Sequence, residues 1–125
     1  MSLIAVMAAT LMQTAPAPLP VAVPTVEGVA ADPTCGGRTA LTTIATCVTT
    51  TQGAAEAVME AFDADFRGQG WLAADGSGNR VVYVRRRETG GCDAFQVMAF
   101  DGDQPEDPAA PAYLALASIP GDACQ

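Results

Sequence analysis

The chain has 125 residues, enough for one domain, and half are hydrophobic while only 6% are aromatic, so its core must be modest and built mainly of Ala, Val and Leu. Fourteen acidic residues stand against six basic ones, all arginine, giving a formal net charge of -8, and a chain this acidic is repelled by nucleic acid and by anionic membrane surfaces. The absence of histidine removes the commonest general base, the Ser-His and Cys-His nucleophile pairs, and the usual zinc and haem ligand.

Leu3 to Met12 is an apolar run too short to span a bilayer, which takes about 20 residues, and it is expected to be the core of a signal peptide covering residues 1–17. Ala15 and Ala17 supply small residues for cleavage, although Pro16 and Pro18 adjoin them and no Lys or Arg precedes the run. No cysteine occurs before Cys35, so a lipid anchor directly behind the signal is not indicated, and no membrane span is expected once the signal is removed. Residues 18–33 carry prolines at 18, 20, 24 and 33 and read as an extended Pro/Ala-rich spacer leading into a single domain over 34–125.

Between Arg38 and Thr50, Leu41, Ile44, Ala45 and Val48 fit the helical template i, i+3, i+4, i+7, while six threonines favour a strand. Apolar alternation is poor, and a helix is expected. A second helix is expected over Gly53 to Arg67, where Ala55, Val58, Met59, Phe62 and Phe66 form an apolar stripe and Glu56, Glu60 and Asp63 lie off it. Thr51 is placed to cap its start and Gly68 to close its end. Trp71 to Ala74 is a short strand, with Trp71 as a sheet anchor. The following DGSGN loop lacks the glycine and the terminal glutamate of a calcium loop, because Arg80 and Arg86 occupy those places. It reads as a turn.

Arg80 to Phe100 reads as two strands joined at a turn containing Gly90 and Gly91. A two-residue loop at Thr89 and Gly90 sets Val84 opposite Phe95 and Val82 opposite Val97 on the core side. Tyr83, Arg85 and Arg87 then share the outer face, a candidate docking spot for an anionic partner, against the alternative that the arginines pair with the chain's own acids. Asp101, Asp103, Glu106 and Asp107 form an acidic, proline-rich loop that is a second candidate contact. Ala112 to Ile119 is a further strand, with Leu114 and Leu116 on one face.

Four cysteines at spacings of 12, 45 and 32 include no C-x-x-C pair, so two disulfides are expected rather than a metal site or a redox motif. A helix over 38–50 turns Cys47 toward the sheet and separates it from Cys35, which points to Cys47–Cys92 and Cys35–Cys124, with Cys92–Cys124 as the main alternative. The serines Ser2, Ser77 and Ser118 have no visible base, and no catalytic residue, metal or cofactor is assigned.

The expected fold is α+β: one or two N-terminal helices packed on a three- to four-stranded antiparallel sheet and stapled by disulfides. The expected function is that of an exported, periplasmic or secreted binding or accessory domain of the bacterial cell envelope, with an unidentified protein or envelope component as partner and no enzymatic activity. An acidic inhibitor of an extracytoplasmic enzyme, acting through the 101–107 loop, is the first alternative, and a carboxylate-dependent hydrolase is the second.

Overall fold

The computed structural model describes residues 18–101 and 107–124. Its backbone is a six-stranded, wholly antiparallel sheet in the order β1-β2-β6-β5-β4-β3, formed by Ala30–Ala31, Thr46–Thr51, Pro111–Ile119, Cys92–Asp101, Arg80–Arg86 and Leu72–Ser77 respectively. Two helices accompany it: α1, a single turn at Thr39–Thr42, and α2 at Ala55–Gly68, entered through a 3-10 turn at Gln52–Ala54. The helix α2 carries the chain from β2 to the far edge of the sheet, and β3 to β6 return as a meander whose last strand closes against β2. The architecture is therefore mostly sheet. The expectation of one or two helices on three or four strands is corrected to one long helix on six.

The largest correction lies at 38–50, where only Thr39–Thr42 is helical and Thr46–Thr51 is the strand β2. The β-branched run Thr46, Val48, Thr49, Thr50, Thr51 has a partner available in β6, with Val48 opposite Leu114 and Thr50 opposite Ala112. Long-range pairing thus reinforces the local preference that the helical template had outweighed.

The long helix matches its expected stripe, burying Val58, Phe62 and Phe66. At its end, Gly70 at φ +92 reverses the chain, and the Trp71 amide bonds back to the Phe66 carbonyl at 3.0 Å, which returns the indole beneath the helix. Trp71 is completely buried, with Phe95 edge-on at 4.8 Å. Phe66 meets Phe62, Tyr83 and Phe95 at 5.8, 5.2 and 5.0 Å, so one aromatic cluster joins α2 to the middle of the sheet.

The stretch expected to be a free spacer instead joins this core. Val21 is buried, and Leu19, Val23, Val26 and Val29 pack against the same cluster. Its backbone is fastened at Ala22, whose amide donates to the Gln69 side-chain oxygen at 3.1 Å while the Gln69 amide group donates to the Ala22 carbonyl at 2.9 Å. Eight residues further along, β1 pairs with β2.

The β4–β5 hairpin is one residue out of its expected register. Tyr83 faces Phe95, Val84 faces Ala94 and Arg86 faces Cys92. The strands close on Arg87 and Gly91, bonded N to O at 2.9 Å, around three residues rather than two, with Gly90 and Gly91 both at positive φ. A one-residue slip exchanges the faces of a strand: Tyr83 goes under the helix, and Val82 and Val84 turn to the opposite face.

The disulfides are Cys35–Cys47 and Cys92–Cys124, with Cα separations of 5.2 and 5.3 Å. The expected Cys47–Cys92 and Cys35–Cys124 pairs are thus replaced. Cys47 lies on a strand, not a helix, and the 35–45 segment folds back over the sheet, where Cys35, Ala45, Cys47 and Ala115 form a small second core with Leu41 and Phe100 at its margin. Both bridges pin irregular chain to the sheet face opposite α2. The result is a small disulfide-stabilised domain, and among the described residues no helix is long and apolar enough to cross a membrane.

Candidate functional site

A concavity of about 650 Å³ lies between α2 and the β3–β4 edge. Helix periodicity sets up one wall: Glu56, Glu60 and Asp63 recur at i, i+4 and i+7, which places them along one side of α2 with Met59 among them. The other wall is β3 from Ala73 to Gly76, including Asp75, and the floor is completed by Val81 and Tyr83 of β4. The β3–β4 register shifts between Ala73 and Asp75, a bulge in the strand that borders the cleft. The site therefore combines an apolar base with the three carboxylates of α2, while Asp75, opposite Val82, turns to the other face of β3.

One end of the cleft is fixed by a hydrogen-bonded triad. The Tyr83 hydroxyl donates to Asp63 Oδ1 at 2.7 Å, and Arg67 Nε donates to Asp63 Oδ2 at 2.8 Å. These donors, Arg67 first and Tyr83 second, hold the Asp63 carboxyl below the usual carboxylate range. Burial, reinforced by the Asp63 carboxylate, pushes the Tyr83 hydroxyl above the usual tyrosine range. At neutral pH the triad is thus a neutral phenol, a carboxylate and a guanidinium. Glu56 and Glu60 are exposed and make no ion pair among the described residues.

The docking face expected from Tyr83, Arg85 and Arg87 does not exist as a free surface. The three do share one face, but it is the face under the helix, because of the register shift. Tyr83 is buried. Arg85 lies over the Trp71 ring at 4.5 Å and donates to the Gln69 carbonyl at 3.1 Å. Arg87 bonds Asp93 and the Gly121 carbonyl, both at 2.6 Å. Their contacts fix the end of α2 and the C-terminal segment to the sheet.

Of the acidic loop, Asp101 accepts from Gln52 Nε2 and Asp107 from the Ala109 amide, each at 2.9 Å, while Asp103 and Glu106 lie outside the described residues. Asp122 gathers with Cys92 and Cys124 in a cluster of ligand-type atoms, but both sulfurs are in the disulfide, and the carboxylate accepts the Cys92 and Cys124 amides at 2.9 Å each. That cluster is a structural clamp on the bridge.

Sequence reasoning placed Glu56, Glu60 and Asp63 off the apolar stripe of the helix, but it put Asp75 in a turn, whereas β3 runs on through it to Ser77. The i, i+4, i+7 spacing is visible in the sequence, but the approach of β3 to that side of α2 depends on the crossover. Compared with known proteins, the chain matches no family model, no curated protein and no solved structure.

Proposed function

We propose that this chain is an exported binding or accessory domain of the bacterial cell envelope whose α2–β3 cleft receives a cationic group, such as a basic side chain of a partner protein. The observation that carries the reading is the cleft itself: Glu56, Glu60 and Asp63 border a base of Met59, Val81 and Tyr83. Apolar floor and charged rim suit an alkyl chain ending in a cation, and the volume lies in the range of ordinary ligand sites. The net charge of -8 steers such a partner toward the molecule. Two disulfides suit an oxidising compartment outside the cytoplasm, and the apolar run Leu3 to Met12 supports export on sequence grounds.

Binding is preferred to inhibition through the 101–107 loop because Asp101 and Asp107 are already engaged within the chain. It is preferred to hydrolysis because Asp63 is tied through one oxygen to Tyr83 and through the other to Arg67, which makes it a link between helix and sheet. The test is calorimetric titration of the protein with a short peptide alternating arginine and valine. Wild type should bind it in a salt-sensitive manner, and Glu56→Gln with Glu60→Gln should weaken binding about tenfold. Equal affinity of the double variant, or no binding by wild type, would refute the assignment.

A further inference from the structure

The face of the sheet turned away from α2 is apolar where a two-layer fold ordinarily presents polar side chains to water. By register, Val82, Val84, Gln96, Met98 and Ile119 lie together on that face. All five are half-buried, and the four apolar ones belong to neither core cluster. The two disulfide-pinned segments bracket the patch: Cys47 anchors the 35–45 segment beyond β6, and Cys92 holds Cys124 at the end of β5. The patch runs over β4, β5 and the end of β6 between them.

Arginines that are unpaired among the described residues gather at the borders of this patch, with Asp75, opposite Val82, the acid beside it. Arg67 and Arg87 are neutralised by Asp63 and Asp93, and Arg85 stacks on Trp71. The remaining arginines all border the open face. Arg80 and Arg86 stand at the two ends of β4 with side chains on that face, and Arg38 lies over Phe100 at 4.7 Å. None of these three forms an ion pair among the described residues, despite the surplus of acids. Arg80 and Arg86 are six residues apart, about 20 Å along a strand, which is the length of about 13 helical residues.

We infer that this face docks an amphipathic helix of a partner protein, with its apolar stripe against Val82, Val84, Met98 and Ile119 and flanking carboxylates paired with Arg80 and Arg86. A second copy of this chain is the poorer occupant, since stacking two such faces would bring like-charged arginine rims together. The occupant's charge is opposite to that of the cationic group assigned to the cleft, and the two sites lie on opposite sides of the sheet.

The experiment titrates the ¹⁵N-labelled protein with two helical peptides about four turns long. They carry the same leucine and alanine stripe, flanked by glutamate in one and lysine in the other. The glutamate peptide should shift the amides of Val82 to Arg86, Gln96 to Met98 and Ile119, and Arg80→Glu with Arg86→Glu should weaken it about tenfold. These arginines are exposed, so the variant keeps the fold. Any lysine-peptide shifts should instead fall at Glu56 and Glu60. The proposal is overturned if the glutamate peptide leaves the open face unshifted, if both peptides shift it equally, if the charge reversal has no effect, or if these amides shift with protein concentration alone, which would assign the face to a second copy.

Discussion

Asp63 shows how one side chain links the helix to the sheet: it receives Arg67 from its own helix, one turn on, and Tyr83 from β4. Its folded pKa is depressed, so the stabilisation it contributes is complete above the unfolded carboxylate value, about pH 4, and is lost as pH falls from there through the folded value. Urea unfolding of wild type and Asp63→Asn from about pH 6 to about pH 2 should show wild type more stable at the upper end and the difference closing toward the lower. A difference that does not change with pH would mean that the carboxylate charge plays no part. This role was not legible in the sequence. An acid at Asp63 reads as solvated helix surface, and Tyr83 reads as either face of its strand, because Val81 and Tyr83 alternate with Val82 and Val84 and both faces are apolar. The choice fell to the turn, where Gly90 and Gly91 both adopt positive φ and add a residue to the loop.

At the scale of the elements, α2 and β2 mark the limits of reading from pattern. The helix was legible because its apolar spacing and its local preferences agree: of the stripe Ala55, Val58, Met59, Phe62 and Phe66, Val58, Phe62 and Phe66 are buried and Ala55 and Met59 half-buried. In β2 the two signals conflict, and the arbiter is β6, some sixty residues later, which no local pattern contains. The same holds for Val21 and its neighbours, whose prolines mark an extended chain correctly but say nothing about the apolar surface on which it lies. Burial at this scale has a measurable consequence. Phe66 touches three other aromatic rings and is fully buried, so Phe66→Ala should cost about 3–5 kcal/mol. Leu72, on the edge strand β3 and 63% exposed, should tolerate Leu72→Ser within about 0.5 kcal/mol. Denaturant midpoints of the two variants check the contrast, and a costly Leu72 substitution would mean that the β3 edge is covered in solution.

For the whole molecule, the two faces of the sheet are covered by different means and to different extents. Toward α2 it has an aromatic core; on the opposite face the covering segments are short, irregular and held by disulfides. Cysteine count and spacing made two bridges legible, but connectivity was inferred from a helix over 38–50 that β2 replaces, and the error at one element passed directly into the topology of the cross-links. Bridges separated by 12 and 32 residues restrict the unfolded chain by about 3 and about 4 kcal/mol on the loop-closure argument. Those amounts are a large share of the roughly 5–15 kcal/mol that holds a domain folded. Replacing Cys92 and Cys124 by alanine should therefore destabilise at least as much as replacing Cys35 and Cys47, and it also removes the bridge that Asp122 clamps through the Cys92 and Cys124 amides. The two pairs differ in their expected local effects: loss of Cys35–Cys47 should release the 35–45 segment from Ala115 while the α2 core stays protected, as hydrogen exchange would record. Uniform loss of protection in that variant would show that the two faces fold as one unit, with the second core required by the first.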